Sequence, residues 1–335
     1  MQAMTTWPWA WLKRKSINWA LRATVKPLWR RQNLSAEELQ RLLAQAESWL
    51  PVPGGAPGLR KRIDHHFEAE WFEPKTPTTR VLLYLHGGAW IIHVPRLYRN
   101  ASRRLARLLQ ARVLLPDYRL APEHRFPAAS DDALASYEHL LSMGVRPQDI
   151  VIGGDSAGGN LALVTLLRAR DRGLPMPACA FVFSPVTDLT LSGPSVLRNG
   201  GTDVMFSAAA APLLSHAYLG ESGQADHPWV SPLKGELHGL PPILLQASDS
   251  EMLTDDSLRF AQHVRAAGGK AEASLWPDLP HVFQLIGALS ESHLALQEVA
   301  DFVRRSTTPG ATAPTHDDIR NHNRETHHEE AHSTH

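Results

Sequence analysis

Apolar positions along the chain follow two spacings. Short, nearly solid runs occur at Val81-Leu-Leu-Tyr-Leu85, Arg112-Val-Leu-Leu-Pro116, Ile150-Val-Ile152 and Cys179-Ala-Phe-Val-Phe183. Runs of this length with no polar face predict strands buried on both sides. Between them, over 97–110, 128–143 and 157–171, apolar residues recur at helical steps. Further along come a strand at Ile243-Leu-Leu-Gln-Ala247, a helix over 254–267, a strand at Ala271-Glu-Ala-Ser-Leu-Trp276 and a last helix through Val303. Strand and helix in alternation predict an α/β fold: a mostly parallel central sheet with helices on both faces.

Two stretches stand outside that alternation. The first 50 or so residues read as helical, with Trp19, Leu21, Val25 and Leu28 giving one broken apolar pattern. Ser35-Ala-Glu-Glu38 forms a capping box, a serine with a glutamate three residues on, and opens a helix through Leu39, Leu42, Leu43 and Leu50. Pro51-Val-Pro-Gly-Gly-Ala-Pro57 stops it and acts as a linker. Residues from about 186 to 225, rich in Gly, Pro, Ser and Ala, break the alternation and read as an insertion between sheet elements. After Ser306 the chain turns to Pro, Thr, Asn, Glu and His, too polar to bury a core, so this tail is expected to be disordered. The organisation expected is an N-terminal helical cap segment over 1–55, a catalytic domain over 60–305 carrying the 186–225 cap insertion, and the tail over 307–335. No internal repeat is visible.

Composition narrows the function. In 335 residues, Lys and Arg together number 34, as do Asp and Glu, so there is no electrostatic reason to expect nucleic acid. Cys179 is the single cysteine and sits inside an apolar strand. One thiol cannot form an internal disulfide, and a reducing compartment, the cytoplasm, fits. The start of the chain holds Trp7, Trp9 and Trp11, then Lys13-Arg-Lys15. A signal peptide has the opposite order of charge and apolar residues, and the stretch is too short to span a bilayer. Two readings stay open: a cap helix whose tryptophans face the protein, or a peripheral membrane contact.

The chemistry concentrates in three places. Ile150-Val-Ile-Gly-Gly-Asp-Ser-Ala-Gly-Gly-Asn160 contains Gly-x-Ser-x-Gly, with an apolar strand before it and a helix pattern (Leu161, Leu163, Val164, Leu167) after it. That context makes Ser156 the nucleophile of a strand-to-helix elbow, where the helix N-terminus favours developing negative charge. Upstream, Leu82-Leu-Tyr-Leu-His-Gly-Gly-Ala-Trp90 is a strand running into a His-Gly-Gly turn. Acyl transfer needs backbone N–H groups aimed at an oxyanion, and Gly87, Gly88 and Ala157 are assigned as donors. Trp276-Pro-Asp-Leu-Pro-His281-Val-Phe-Gln-Leu285 puts His281 in a loop after the last strand, where the general base of this chain order belongs. The loop after strand 243–247 offers the acid. Asp255 and Asp256 fit the first turn of the next helix, which leaves Glu251 and Asp249.

Taken together, His86-Gly-Gly, Asp117-Tyr-Arg-Leu-Ala-Pro-Glu-His124 with Phe126-Pro-Ala-Ala129, Gly154-Asp-Ser-Ala-Gly-Gly-Asn160 and Pro280-His281-Val-Phe resemble the hormone-sensitive lipase family of esterases, the bacterial family IV. The resemblance runs from about residue 70 to 305. It implies an α/β-hydrolase fold with a helical cap, a serine carboxylesterase acting on short to medium acyl chains, and no cofactor. In that family the acid opens an acid-x-Leu-x-Asp pattern. Glu251-Met-Leu253-Thr-Asp255 matches it, so the resemblance implies Glu251 over Asp249. Glutamate replaces the usual aspartate, and Ala89 replaces the third glycine of the common His-Gly-Gly-Gly. Asp117, Arg119 and Glu123 are read as buried polar ties bracing the site loops.

The expected partner is a small-molecule ester, and a homodimer stays open. An amide or N-acetyl hydrolase can use the same constellation. A non-catalytic small-molecule receptor is the reading from another class, and the presence of His281 counts against it. The tail histidines (His316, His322, His327, His328, His332, His335) have neither fixed spacing nor a fold to organise metal ligands, so no metal site is expected.

Overall fold

A computed structural model describes residues 8–30, 35–49, 58–63, 67–221 and 223–307. Its strands are β1 (Leu59–Arg62), β2 (Glu68–Phe72), β3 (Val81–Leu85), β4 (Arg112–Pro116), β5 (Ile150–Asp155), β6 (Cys179–Phe183), β7 (Ile243–Ser248) and β8 (Ala271–Trp276). They form one sheet in the order β1-β2-β4-β3-β5-β6-β7-β8. β2 runs antiparallel to both β1 and β4, and every pairing from β4 to β8 is parallel. The helices are α1 (Pro8–Thr24), α2 (Ala36–Trp49), α3 (Pro95–Leu109), α4 (Ala128–Ser142), α5 (Ser156–Asp171), α6 (Ser195–Arg198), α7 (Ala211–Leu219), α8 (Thr254–Ala266) and α9 (Ser290–Ser306).

The solid apolar runs become central strands because both of their faces are covered. Leu83, Leu85, Ile150, Ile152, Ala180, Val182 and Leu245 share a core with residues of α4, α5 and α8. Their neighbours Leu82, Tyr84, Val151, Phe181, Phe183 and Leu244 point the other way, onto α3 and α9. Cys179 lies buried in that second layer, as expected, and burial pushes its thiol up to about 12. β1 and β2 were hidden in the sequence by their polar residues. All four positions of β1 are exposed, and Glu70 of β2 is buried only because Arg99 and Arg60 neutralise it.

The N-terminal helices and the 186–225 stretch meet over the C-terminal ends of the parallel strands. Trp29 packs on Phe206 with ring centroids 5.2 Å apart. Lys26 Nζ donates to the carbonyls of Gly200, at 2.9 Å, and Asp203. Gln40 Nε2 donates to the Ile91 carbonyl at 2.8 Å. Ser35 caps α2 by accepting the Glu38 N–H, as the capping box predicts. The 186–225 stretch does lie between β6 and β7 and holds α6 and α7.

One expectation about α1 is corrected. Trp9 and Trp11 do not face the protein: both are exposed, as is Trp19, because the packed face of the helix is instead Ala10, Ile17, Asn18 and Leu21. Trp7, the linker over 51–57 and the tail from 308 onward lie outside the described residues.

Candidate active site

All the singled-out groups stand at the C-terminal ends of parallel strands, where ligands of open α/β sheets bind. His86 follows β3, Ser156 follows β5, Glu251 follows β7 and His281 follows β8. Ser156 has φ +53°, a left-handed conformation for a residue with a Cβ. That strain, on the order of 1–3 kcal/mol, is held by its surroundings. Close packing beneath the elbow demands glycine at 158, where a Cβ would come within 2.1 Å of the Leu85 carbonyl oxygen.

The imidazole and carboxylate are joined. His281 Nδ1 and Glu251 Oε2 lie 2.6 Å apart, with side chains only 4% and 1% exposed. The other carboxylate oxygen, Oε1, accepts from the Ser248 N–H at 2.7 Å and from Ser184 Oγ at 2.8 Å. Asp249 points elsewhere: it is exposed and accepts the Asp278 N–H at 2.9 Å. With the Nδ1 proton directed at Glu251, Nε2 is left as the lone-pair nitrogen, and it is buried with no hydrogen-bond partner. Burial works against the imidazolium, but the hydrogen bond and charge of Glu251, helped by Asp203 and Asp155, outweigh it and raise His281 above its ordinary value.

Ser156 lines a pocket whose walls include Ala89, Trp90, Leu189, Phe206, Leu214 and Met252. Phe206 also meets the His281 ring edge-on at 4.7 Å, so one side chain borders both the pocket and the imidazole. Trp90 stacks on Tyr218 of α7, centroids 4.4 Å apart and planes 9° from parallel. The turn after β3 therefore rests directly on the insertion.

The turn after β3 requires one correction. The Gly87 N–H donates to Asp155 Oδ1 at 3.2 Å, so it is already committed and does not face an oxyanion. Gly88, at φ +122°, and Ala89, at φ +54°, follow it, and among the described residues no hydrogen bond takes either N–H. Ala157, in the first turn of α5, has an N–H with no intrahelical acceptor. The free donors of this region are thus Gly88, Ala89 and Ala157. Ala89 lines the pocket where the sequence suggested only a change of shape.

Residues that sequence reasoning missed hold this turn in place. Asp155 Oδ1 and Oδ2 accept from Tyr84 and Tyr98, each at 2.9 Å, and burial pushes the carboxyl up to about 6 despite these donors. His86 is stacked between His93 and Tyr118, its Nδ1 donates to the Gly87 carbonyl at 2.7 Å, and burial with the neighbouring His93 drives it down to about 3. It is a neutral brace. Ser184 could have been suspected, because it directly follows a central parallel strand next to the elbow strand.

The three polar ties divide. Arg119 pairs with buried Asp132 at 2.6 Å, as expected. Asp117 pairs with His93 at 3.0 Å but is half-exposed. Glu123 is exposed on a surface turn, so it is not a buried tie. Among the described residues, no group of three or more His, Cys, Asp or Glu side chains is placed to hold a metal ion.

Comparison with known proteins gives the fold and the family. A family model for the alpha/beta hydrolase fold matches residues 82–285. An acetyl-hydrolase of Streptomyces hygroscopicus is 37% identical over 246 residues, 73% of this chain and 82% of that protein. An esterase of Acinetobacter venetianus is 36% identical over 234 residues, 70% of this chain and 77% of the relative. A crystal structure of an esterase from the bacterial hormone-sensitive lipase family superposes with TM-score 0.80 at 32% identity, covering 91% of this chain and 100% of the other.

Proposed function

The chain belongs to the bacterial hormone-sensitive lipase family of α/β-hydrolases and is a carboxylic ester hydrolase, and from that premise we propose that it works through an acyl-enzyme on Ser156. The observation that carries the reading is the Glu251–His281 pair, with Nε2 free of any hydrogen-bond partner and Phe206 bordering both the imidazole and the pocket that Ser156 lines. His281 Nε2 takes the proton of Ser156 as its oxygen attacks the ester carbonyl. The N–H groups of Gly88, Ala89 and Ala157 bind the resulting oxyanion. Collapse of the tetrahedral intermediate expels the alcohol, which leaves with the proton from His281. Water then repeats the cycle on the acyl group.

Substrates are short- to medium-chain acyl esters. In support, the pocket wall is largely apolar, with Phe206, Leu214 and Met252 among its lining. Purified protein with p-nitrophenyl esters of graded length tests this reading, together with a serine-reactive phosphonate. Turnover, a single adduct on Ser156 and loss of both in Ser156→Ala support it; unchanged turnover in that variant removes Ser156 from the mechanism.

A second reading, hydrolysis of acetyl groups from oxygen or nitrogen, is favoured by the likeness to the acetyl-hydrolase. Comparing an acetate ester with the matching N-acetyl amide separates the two.

A further inference from the structure

Helix α1 has one packed face and one that nothing covers among the described residues. Ala10, Arg14, Ile17, Asn18, Leu21 and Val25 recur at helical steps and turn toward the body. Asn18 Nδ2 donates to the Asp278 carbonyl at 3.1 Å, Arg14 pairs with Glu291 at 3.4 Å, and Ile17 packs against the cluster around Leu279 and Phe283. On the opposite side stand Trp9, Leu12 and Trp19, exposed by 76%, 45% and 73%. This helix is held in place by Arg14, Asn18, Ile17 and Leu21 while its tryptophans stand in water. That is the reverse of a helix whose only role is to cap a core.

The charge around that row is of one sign. α1 carries Lys13, Arg14, Lys15 and Arg22 and no carboxylate, in a chain whose formal net charge is zero. At about 100° per residue, Lys15 and Arg22 lie on one side of the Leu12–Trp19 line and Lys13 lies beyond Trp9 on the other. Lys13 and Arg22 have no carboxylate partner among the described residues; Arg22 only donates to the Thr202 carbonyl, at 3.0 Å.

We infer that this face of α1 lies in the interfacial plane of a membrane bearing anionic lipid headgroups. Trp9, Leu12 and Trp19 enter the headgroup boundary, and Lys13 and Arg22 lie over lipid phosphates, while Lys15 stays paired with Asp278 at 2.7 Å. A second copy of the chain is a poorer occupant, because a twofold contact would set the cations of one α1 against those of the other. The seat is connected to the site: α1 grips Pro277 and Asp278, in the loop that leads to His281. The inference concerns where the protein sits and does not depend on which residue is the nucleophile.

The full-length chain is sedimented with vesicles of pure phosphatidylcholine and with vesicles containing about 30% phosphatidylglycerol. The expected result is binding to the anionic vesicles, weaker binding to the neutral ones, and release as salt is raised. Trp9→Ser with Trp19→Ser, and separately Lys13→Glu, should each lower the partition coefficient by about tenfold or more. Turnover of a soluble p-nitrophenyl ester stays at the wild-type rate in both variants, which shows that they fold. Three outcomes would overturn the inference: no vesicle binding by the wild type, equal binding to both lipids, or binding that the tryptophan variant retains. A wild-type dimer that Trp9→Ser/Trp19→Ser converts to monomer, without vesicle binding, would reassign the face to a second copy.

Discussion

Glu251 divides its carboxylate between two tasks, with Oε2 at 2.6 Å from His281 Nδ1 and Oε1 anchored by Ser184 and the Ser248 N–H. A side chain fixed at one oxygen can hold the imidazole with the other. Removing its charge should therefore affect the rate more than substrate binding. For Glu251→Gln the expected loss in kcat is about 10³-fold or more, with KM changed by no more than about threefold. Steady-state kinetics on a p-nitrophenyl ester read both values.

The same pair sets the pH dependence. His281 must be neutral to take a proton, and its pKa is raised, so kcat/KM falls as pH drops through a value above 6.5. In Glu251→Gln the charge that holds the imidazolium is gone, so this acid limb should move to lower pH. For stability the sign is opposite. The pairing stabilises the fold fully below 6.5, and its contribution fades as pH rises through the folded value. An acid limb that stays in place in the variant would detach Glu251 from the base.

Asp249→Asn is the matching control. Asp249 accepts a loop N–H and does not reach the imidazole, so kcat should stay within about threefold of the wild type. A loss as large as that of Glu251→Gln would exchange the two roles.

Ser184 is tested by its hydroxyl. It has φ +46°, so Ser184→Gly relieves the backbone while removing the same donor that Ser184→Ala removes. Both variants leave a buried carboxylate short of one hydrogen bond, costing about 1–3 kcal/mol in urea unfolding. Both should also lower kcat, by about tenfold. Full activity in Ser184→Gly would mean that only the backbone matters there.

Two small residues of the turn after β3, Gly87 and Ala89, should behave oppositely. A Cβ on Gly87 would stand 2.2 Å from Asp155 Oδ2, so Gly87→Ala forces the turn off its brace. About 3 kcal/mol or more of stability is expected to go with it. Ala89→Gly places glycine where φ is already positive, so activity should hold within about threefold. Thermal unfolding and ester turnover, measured on both, separate a packing role from a chemical one.

The parallel core and the elbow were legible in the sequence because each is written in consecutive residues. A run such as Cys179 to Phe183 has only one way to bury both faces, and Gly154 to Gly158 carries its turn within itself. The acid was legible only in part. Periodicity left Asp249 and Glu251 equal, and what separates them is the direction each side chain takes from one loop. Gly87 was misread because its N–H is taken by Asp155, 68 residues away. Tyr84 and Tyr98 were invisible for the same reason: each acts on a partner far along the chain. The outward tryptophans of α1 could not be read from their spacing, because the face a helix buries is chosen by what it lands on.

The stack of Trp90 on Tyr218 has a consequence for anyone who would rebuild this enzyme. The 186–225 stretch looks like a detachable module, an obvious segment to exchange for that of a relative when a new substrate range is wanted. Yet its α7 supplies the flat ring against which the indole rests, and Trp90 follows Ala89 directly. A graft without an aromatic ring in the place of Tyr218 would reshape the pocket as intended and loosen the proposed oxyanion donors along with it. On the proposed mechanism specificity and rate would then change together, and a transplant that keeps the ring is the one to make first.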